Sequence, residues 1–195
     1  MRLSLLFAAA LALAACDAAG PDLTADARGA SDNAATSAST DLNRELAAVR
    51  AATAKYHRVE RALADGYGAP PFPGADPLIS ECVAHPDLGG MGHHYINARL
   101  ANGTLDIEQP EILLYEPTKN GRLRLVGVEY LVPFRVEPTA DDGGTAPTLF
   151  GQTFHENDNA GGWTLHVWVW KNNPSGMFAD FNPTVSCEYE QTSDA

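Results

Sequence analysis

The residues of this 195-residue chain that could do chemistry are histidines and one glutamate, set in segments of otherwise apolar character. His93 and His94 follow a glycine-rich stretch, and adjacent residues of a β-strand point to opposite faces. At most one of the two therefore faces the core. His94 alternates with Ile96 and is the expected inward residue, whereas His93 alternates with Tyr95 on the other face.

Three more candidates lie on later segments. His166 is expected to share a strand face with two tryptophans, and His155 follows a phenylalanine on another short segment. Glu129 is expected to share a face with Leu125 and Leu131. A carboxylate on such a face needs a partner, because burying an unpaired charge is costly.

Imidazole and carboxylate groups that converge in a fold offer a metal site or a general acid–base pair. The sequence predicts a ligand pocket, with a transition-metal ion as one occupant and any other cofactor unknown. Three functions stay open: binding of a small ligand or metal ion, a hydrolase or lyase acting through the same pocket, and a passive envelope interaction module. The predicted pocket residues are His93, His94, Glu129, His155 and His166, of which His94, His155 and His166 are the predicted metal ligands.

Several function classes are disfavoured by what the sequence lacks. The chain has 13 Lys and Arg against 25 Asp and Glu, a net charge of −12, so it lacks the basic surface that nucleic-acid binding requires. It contains no P-loop, no Rossmann fingerprint and no Gly-x-Ser-x-Gly elbow. We therefore expect no nucleic-acid partner and no nucleotide cofactor.

One helix and a set of strands must position these side chains. An apolar face at helical spacing predicts a helix over about residues 41–65, ended by a Gly- and Pro-rich stretch. Strands are expected at 93–100, 111–116, 122–133, 149–156 and 163–171, and the Asn120-Gly121 turn predicts a hairpin between the second and third of them. This order indicates an α+β fold, in which one amphipathic N-terminal helix packs on an antiparallel sheet or on a small β-barrel.

The N-terminus predicts export from the cytoplasm. Arg2 precedes an apolar run too short to span a bilayer, which is typical of a signal peptide over residues 1–15. Leu13-Ala14-Ala15-Cys16 resembles the bacterial lipobox, which implies a lipid on Cys16 that attaches the protein to a membrane of the bacterial cell envelope, on the extracytoplasmic side. Residues 16–40 are expected to form a flexible tether and residues 41–195 a single domain.

Two cysteines remain once Cys16 is assigned to the lipid. Cys82 and Cys187 form an even pair in an exported protein, where disulfides form and persist. A structural disulfide between them is therefore predicted.

Four strings of sequence together carry a family resemblance. They are Ala52–Tyr56 with Ala64–Tyr67, Glu81–Val83, Met91–Tyr95, and Leu165–Trp168 with Asn173–Phe178 and Asn182-Pro183. With them the chain resembles an uncharacterised family of secreted bacterial proteins over about residues 50–190. The resemblance implies a discrete extracytoplasmic domain and assigns no activity, cofactor or catalytic residue.

Overall fold

The computed structural model describes residues 23–134 and 145–190, with side chains from residue 37 onward. Two helices, a 3-10 turn and eight strands follow one another in this part of the chain. Their bounds are α1 Leu23–Thr53, the 3-10 turn Ala54–His57, α2 Val59–Ala64, β1 Val83–His85, β2 Gly89–Ile96, β3 Ile112–Pro117, β4 Leu123–Pro133, β5 Thr148–Leu149, β6 Gln152–Thr153, β7 His155–Asn157 and β8 Gly162–Val167. The mixed helix and sheet content confirms the predicted class.

Six of the strands form one curled antiparallel sheet, a half-barrel in the order β1-β2-β3-β4-β8-β7. Strands β3 and β4 pair around the Asn120-Gly121 turn, so the predicted hairpin is confirmed. The expected strand at 149–156 is instead three short pieces, β5, β6 and β7, because Phe150 adopts a positive φ of 55° and Gly151 one of 68° in the turn between β5 and β6.

The chain divides into two units, Met1–Ser39 and Thr40–Ala195, and the second carries the sheet and its cores. No helix of residues 23–134 and 145–190 has the length and apolar character needed to cross a membrane. Cys16 and the predicted signal peptide lie outside the described residues.

Helix α1 begins at Leu23, earlier than the start near residue 41 that the apolar periodicity suggested. Residues 23–40 contain no proline and many alanines, and alanine has the highest helix propensity. The helix is also interrupted, because Arg58 is extended, with φ −101° and ψ 108°. The interruption shifts the apolar face. Leu63, which unbroken helical spacing from Leu42 and Leu46 would place on that face, is 47% exposed, and Ala62 is buried instead.

Each face of the sheet packs in a different core. One face packs with α1 in a cluster here called the helix-side core, which includes Leu46, Val49, Leu113, Tyr115, Leu125, Val128 and Tyr130. The other face packs in the second core, formed by Ile112, Leu114, Val126, Leu131, Trp168 and Val185. Trp168 and Val185 come from the segment after β8, so that segment covers the second face.

A bulge in β4 decides which face carries Glu129. Leu114 pairs with Gly127 while the next residue of β3, Tyr115, pairs with Leu125, so Val126 is an extra residue and the alternation of side chains reverses there. Glu129 therefore shares its face with Leu131 but not with Leu125, which packs in the helix-side core. The expectation that all three share one face is wrong for this reason.

A disulfide joins Cys82 and Cys187, with their Cα atoms 5.6 Å apart, which confirms the predicted pair. It links the chain just before β1 to the segment that covers the second core. Such a bond is typical of a protein outside the cytoplasm.

A second buried glutamate makes stability depend on pH. Glu111 is 1% exposed, its Oε2 accepts a hydrogen bond of 3.1 Å from the Leu131 N–H, and burial raises its pKa to about 7. The folded pKa of Glu111 lies above the ordinary value of 4.5, so the protonated carboxyl stabilises the folded state relative to the ionised one. This contribution to the unfolding free energy is fully present below about pH 4.5 and is lost as the pH rises through 7.

We expect Glu111→Gln to remove this dependence. Between pH 5 and pH 8 the unfolding free energy of the wild type should fall by up to about 3 kcal/mol relative to that of the variant. Urea denaturation of both proteins at the two pH values measures the difference. If the unfolding free energies of the two proteins differ by the same amount at pH 5 and at pH 8, Glu111 does not titrate in this range.

Candidate metal centre

Three strands of the curled sheet bring His94, Glu129 and His166 together. Glu129 on β4 pairs directly with His166 on β8, so the two side chains lie on the same face. On its other side Glu129 pairs with Ile112 of β3, and Ile112 pairs with Ile96 of β2, two residues from His94 on the same face. Sheet register thus places all three side chains beside the second core.

The separations of the ligand atoms suit a shared metal ion better than hydrogen bonds. Glu129 Oε2 lies 3.4 Å from His94 Nε2 and 3.7 Å from His166 Nε2, and the ligand atoms of all three residues lie within 4.8 Å of one another. Hydrogen bonds between charged nitrogen and oxygen are about 2.7–2.9 Å long. Ligand atoms of a tetrahedral zinc ion lie roughly 3.3 Å apart, given bonds of about 2.0–2.1 Å.

The same atoms lack hydrogen-bond partners. Among the described residues, the buried side-chain atoms without any hydrogen bond are Glu129 Oε2, His166 Nδ1 and His166 Nε2. A buried polar atom without a partner costs about 1–3 kcal/mol, and more when it is charged. Two of the three orphaned atoms point into the same small space, so a cation at that place would compensate both.

Ser80 fixes which nitrogen of His94 faces Glu129. The Ser80 hydroxyl donates to the Glu81 carbonyl at 2.6 Å, so its oxygen is left to accept hydrogen bonds. That oxygen lies 3.2 Å from His94 Nδ1, and we assign the ring proton to Nδ1 on this basis. Burial lowers the pKa of His94, which favours the neutral ring. The lone pair of Nε2 then points at Glu129, as a metal ligand requires.

Asp180 lies on the outer side of the His166 ring, as Ser80 does for His94. Its Oδ1 lies 3.6 Å from His166 Nδ1, on the side of the ring away from Glu129. Burial lowers the pKa of His166, but the flanking carboxylates of Glu129 and Asp180 raise it by more, so it lies above its usual value. Both imidazoles direct Nε2 towards Glu129 and Nδ1 towards an outer oxygen, which lies at hydrogen-bond distance for His94 and 3.6 Å away for His166. In metal-bound histidine the outer nitrogen usually faces an oxygen in this way.

Gly92 sets the position of His94 on β2. Its φ is +89°, and a Cβ built on it would lie 2.4 Å from the Tyr115 carbonyl oxygen. Only glycine allows β2 to approach β3 this closely. The glycine-rich stretch that precedes the histidines thus serves strand packing.

The other two predicted pocket residues do not join this group. His93 lies on the opposite face, where its Nδ1 is 3.0 Å from the Ser80 carbonyl oxygen and 4.0 Å from Glu190 Oε1. His155, a predicted metal ligand, is exposed on β7, an edge strand. The candidate ligand group that converges in the described residues contains Glu129 and does not include His155.

Sequence reasoning missed the two outer partners, Ser80 and Asp180. Neither carries a motif: Ser80 stands two residues before Cys82, and Asp180 lies in the irregular segment after β8. Their roles follow only from tertiary contacts. Ser80 pairs its backbone with His94 through a hydrogen bond to the His94 carbonyl, while the Trp168 Nε1–H donates to the Ala179 carbonyl next to Asp180.

The ligand group is shielded from solvent. The exposed fractions of the side chains are 13% for His94, 3% for Glu129 and 2% for His166. Four cavities of the described part of the chain are lined by other residues.

Comparison of the chain with protein-family models, with curated proteins and with solved structures finds no match in any of the three.

Proposed function

We propose that this protein binds a divalent transition-metal ion through His94 Nε2, His166 Nε2 and a carboxylate oxygen of Glu129. The observation that carries the proposal is the spacing of these atoms, which is too long for hydrogen bonds and close to that of ligands around one ion. Two imidazoles and one carboxylate suit zinc, iron and other first-row divalent metals. Ser80 and Asp180 orient the rings from outside.

We further propose that the protein works on the outer side of a bacterial membrane, as a member of the secreted family that it resembles. The disulfide between Cys82 and Cys187 supports a location outside the cytoplasm. The lipobox-like Leu13–Cys16 supports attachment through a lipid on Cys16. Residues 17–40, which include the first part of α1, would then separate the lipid from the domain.

Binding is favoured over hydrolysis or elimination by two features. The ligand side chains are at most 13% exposed, which gives a substrate little access. The Ser80 hydroxyl lies beside His94, but its hydrogen is engaged by the Glu81 carbonyl, so it is not oriented as a nucleophile towards the imidazole.

Metal titration of the purified protein tests this function. After treatment with a chelator and removal of the chelator, calorimetry with Zn²⁺ and, without oxygen, with Fe²⁺ should give about one ion bound per chain. Elemental analysis of the protein as first purified should show the metal that it selects. Failure of both ions to bind would contradict the proposal and favour a passive envelope module.

The outer partners should tune the affinity. We expect Asp180→Asn and Ser80→Ala each to weaken metal binding by about 10–100-fold, because each leaves one imidazole less well oriented. The absorption spectrum of a Co²⁺ complex reports the geometry and should shift in both variants. Unchanged affinity and an unchanged spectrum in both would show that neither residue supports the site.

A further inference from the structure

The tip of the β3–β4 hairpin is basic in an otherwise acidic protein. Lys119, Arg122 and Arg124 stand close together, and residues 118–124 contain no acidic side chain, although the chain as a whole has a net charge of −12. All three side chains are exposed. The potential at this tip is therefore opposite in sign to that expected for most of the surface.

A cavity of about 480 Å³ lies between this tip and the segment after β8. Lys119, Asn120 and Arg124 line one side of it, and Tyr189 and Ser186 of the C-terminal segment line the other. The tip and the segment thus flank a partly open space large enough for a small organic molecule.

The one acidic side chain of the lining is already neutralised. Glu116 is buried, and both its oxygens accept hydrogen bonds from Lys171 Nζ, at 2.6 and 2.8 Å. The Ser186 N–H donates to it as well, at 3.1 Å. Arg124 approaches Glu116 only at 3.7 Å and is 61% exposed, and in the described part of the chain Lys119 makes no side-chain hydrogen bond or ion pair. Lys119 and Arg124 therefore keep their positive charge available to a ligand.

The remaining polar groups of the lining are mainly donors. Asn120 Oδ1 accepts a hydrogen bond from the Arg122 N–H, which leaves its amide NH₂ free to donate. The Tyr189 hydroxyl adds another donor, and the Tyr189 ring with Pro117 provides apolar surface. A ligand that matches this lining carries acceptor oxygens, negative charge and an apolar body.

We propose that this cavity binds a small organic anion, with its phosphate or carboxylate group held by Lys119 and Arg124 and its apolar part against Pro117 and Tyr189. The site is separate from the metal ligands and does not depend on the proposed metal. Because it is partly open to solvent, its affinity falls as salt rises.

Calorimetric titration of the purified protein at constant ionic strength tests the site. The probes are inorganic phosphate, phenyl phosphate and benzoate, and at least one of the two aromatic probes should bind at one site per chain. Phenyl phosphate should bind at least about threefold more tightly than inorganic phosphate, because its ring gains the apolar contact. The aromatic probe with the higher affinity identifies the charged group that the cavity prefers.

Matched charge variants separate a built site from diffuse attraction. The double variant Lys119→Gln/Arg124→Gln should lose about tenfold or more in affinity. Arg122→Gln removes one charge from the same turn, but Arg122 lines the neighbouring cavities rather than this one, so its effect should stay within about twofold. The proposal would be overturned if none of the three probes showed saturable binding. It would also be overturned if Arg122→Gln lost as much affinity for each charge removed as the double variant does.

Discussion

Replacing Glu129 by glutamine should weaken binding of Zn²⁺ or Fe²⁺ by more than about 100-fold, since losing a ligand should cost more than losing an outer partner. Glutamine keeps the shape of the side chain but removes the negative charge that faces His94 and His166. The loss should also appear as lost stabilisation. At a free metal concentration about 100 times its Kd, the wild type gains about 2.7 kcal/mol and so about 5–10 °C in melting temperature. The variant should gain less than about 0.4 kcal/mol at that concentration.

The metal-free form of Glu129→Gln should be at least as stable as the metal-free wild type. Glu129 Oε2 is buried and accepts no hydrogen bond, so the amide avoids the cost of a poorly compensated charge. Urea denaturation in the presence of a chelator measures this. A variant that loses metal but keeps its stability shows that the carboxylate serves binding and not folding.

Glu111→Gln is the matched control, because it is the same change at a second buried glutamate outside the ligand group. Its metal affinity should stay within about threefold of that of the wild type, since the ligand set is intact. Equal affinities of the wild type and Glu129→Gln would instead remove Glu129 from the ligand set.

Removing the disulfide should cause the largest loss of stability. The bond closes a sequence separation of 105 residues, and the Cys82→Ser/Cys187→Ser variant should lose about 4.7 kcal/mol of unfolding free energy in the chain-entropy model. The effect arises because the open chain gains freedom in the unfolded state. Equilibrium unfolding in urea measures it, and the dependence on urea should steepen as the unfolded chain exposes more surface.

Reduction of the wild type provides the control for this variant. With a dithiol reductant present, the wild type should become as unstable as the double-serine variant, and the variant should not respond. A loss below about 1 kcal/mol would show that native contacts alone hold the segment after β8 on the sheet.

Much of the fold was predictable from local patterns. The Asn120-Gly121 turn identified the β3–β4 hairpin, and the even cysteine pair identified the disulfide. Alternation on β2 correctly suggested that His93 and His94 face opposite sides, because the strand is regular at these two residues. These features depend on neighbours in sequence or on simple counting, which a sequence shows directly.

The rest depends on contacts that no local pattern encodes. The bulge at Val126 reverses the face of β4, so alternation placed Leu125 beside Glu129 when the two lie on opposite sides. The extended conformation at Arg58 ends the helical periodicity before Leu63. The outer partner Asp180 comes from an irregular segment, where neither spacing nor residue type indicates what the side chain meets.

The most direct test of the metal proposal is an anomalous-difference map from crystals of the metal-loaded protein, collected at the absorption edge of the bound metal. We predict one strong peak about 2.0–2.2 Å from His94 Nε2, from His166 Nε2 and from a carboxylate oxygen of Glu129. A map without a peak among these three atoms, or with the metal held only by other residues, would contradict the account.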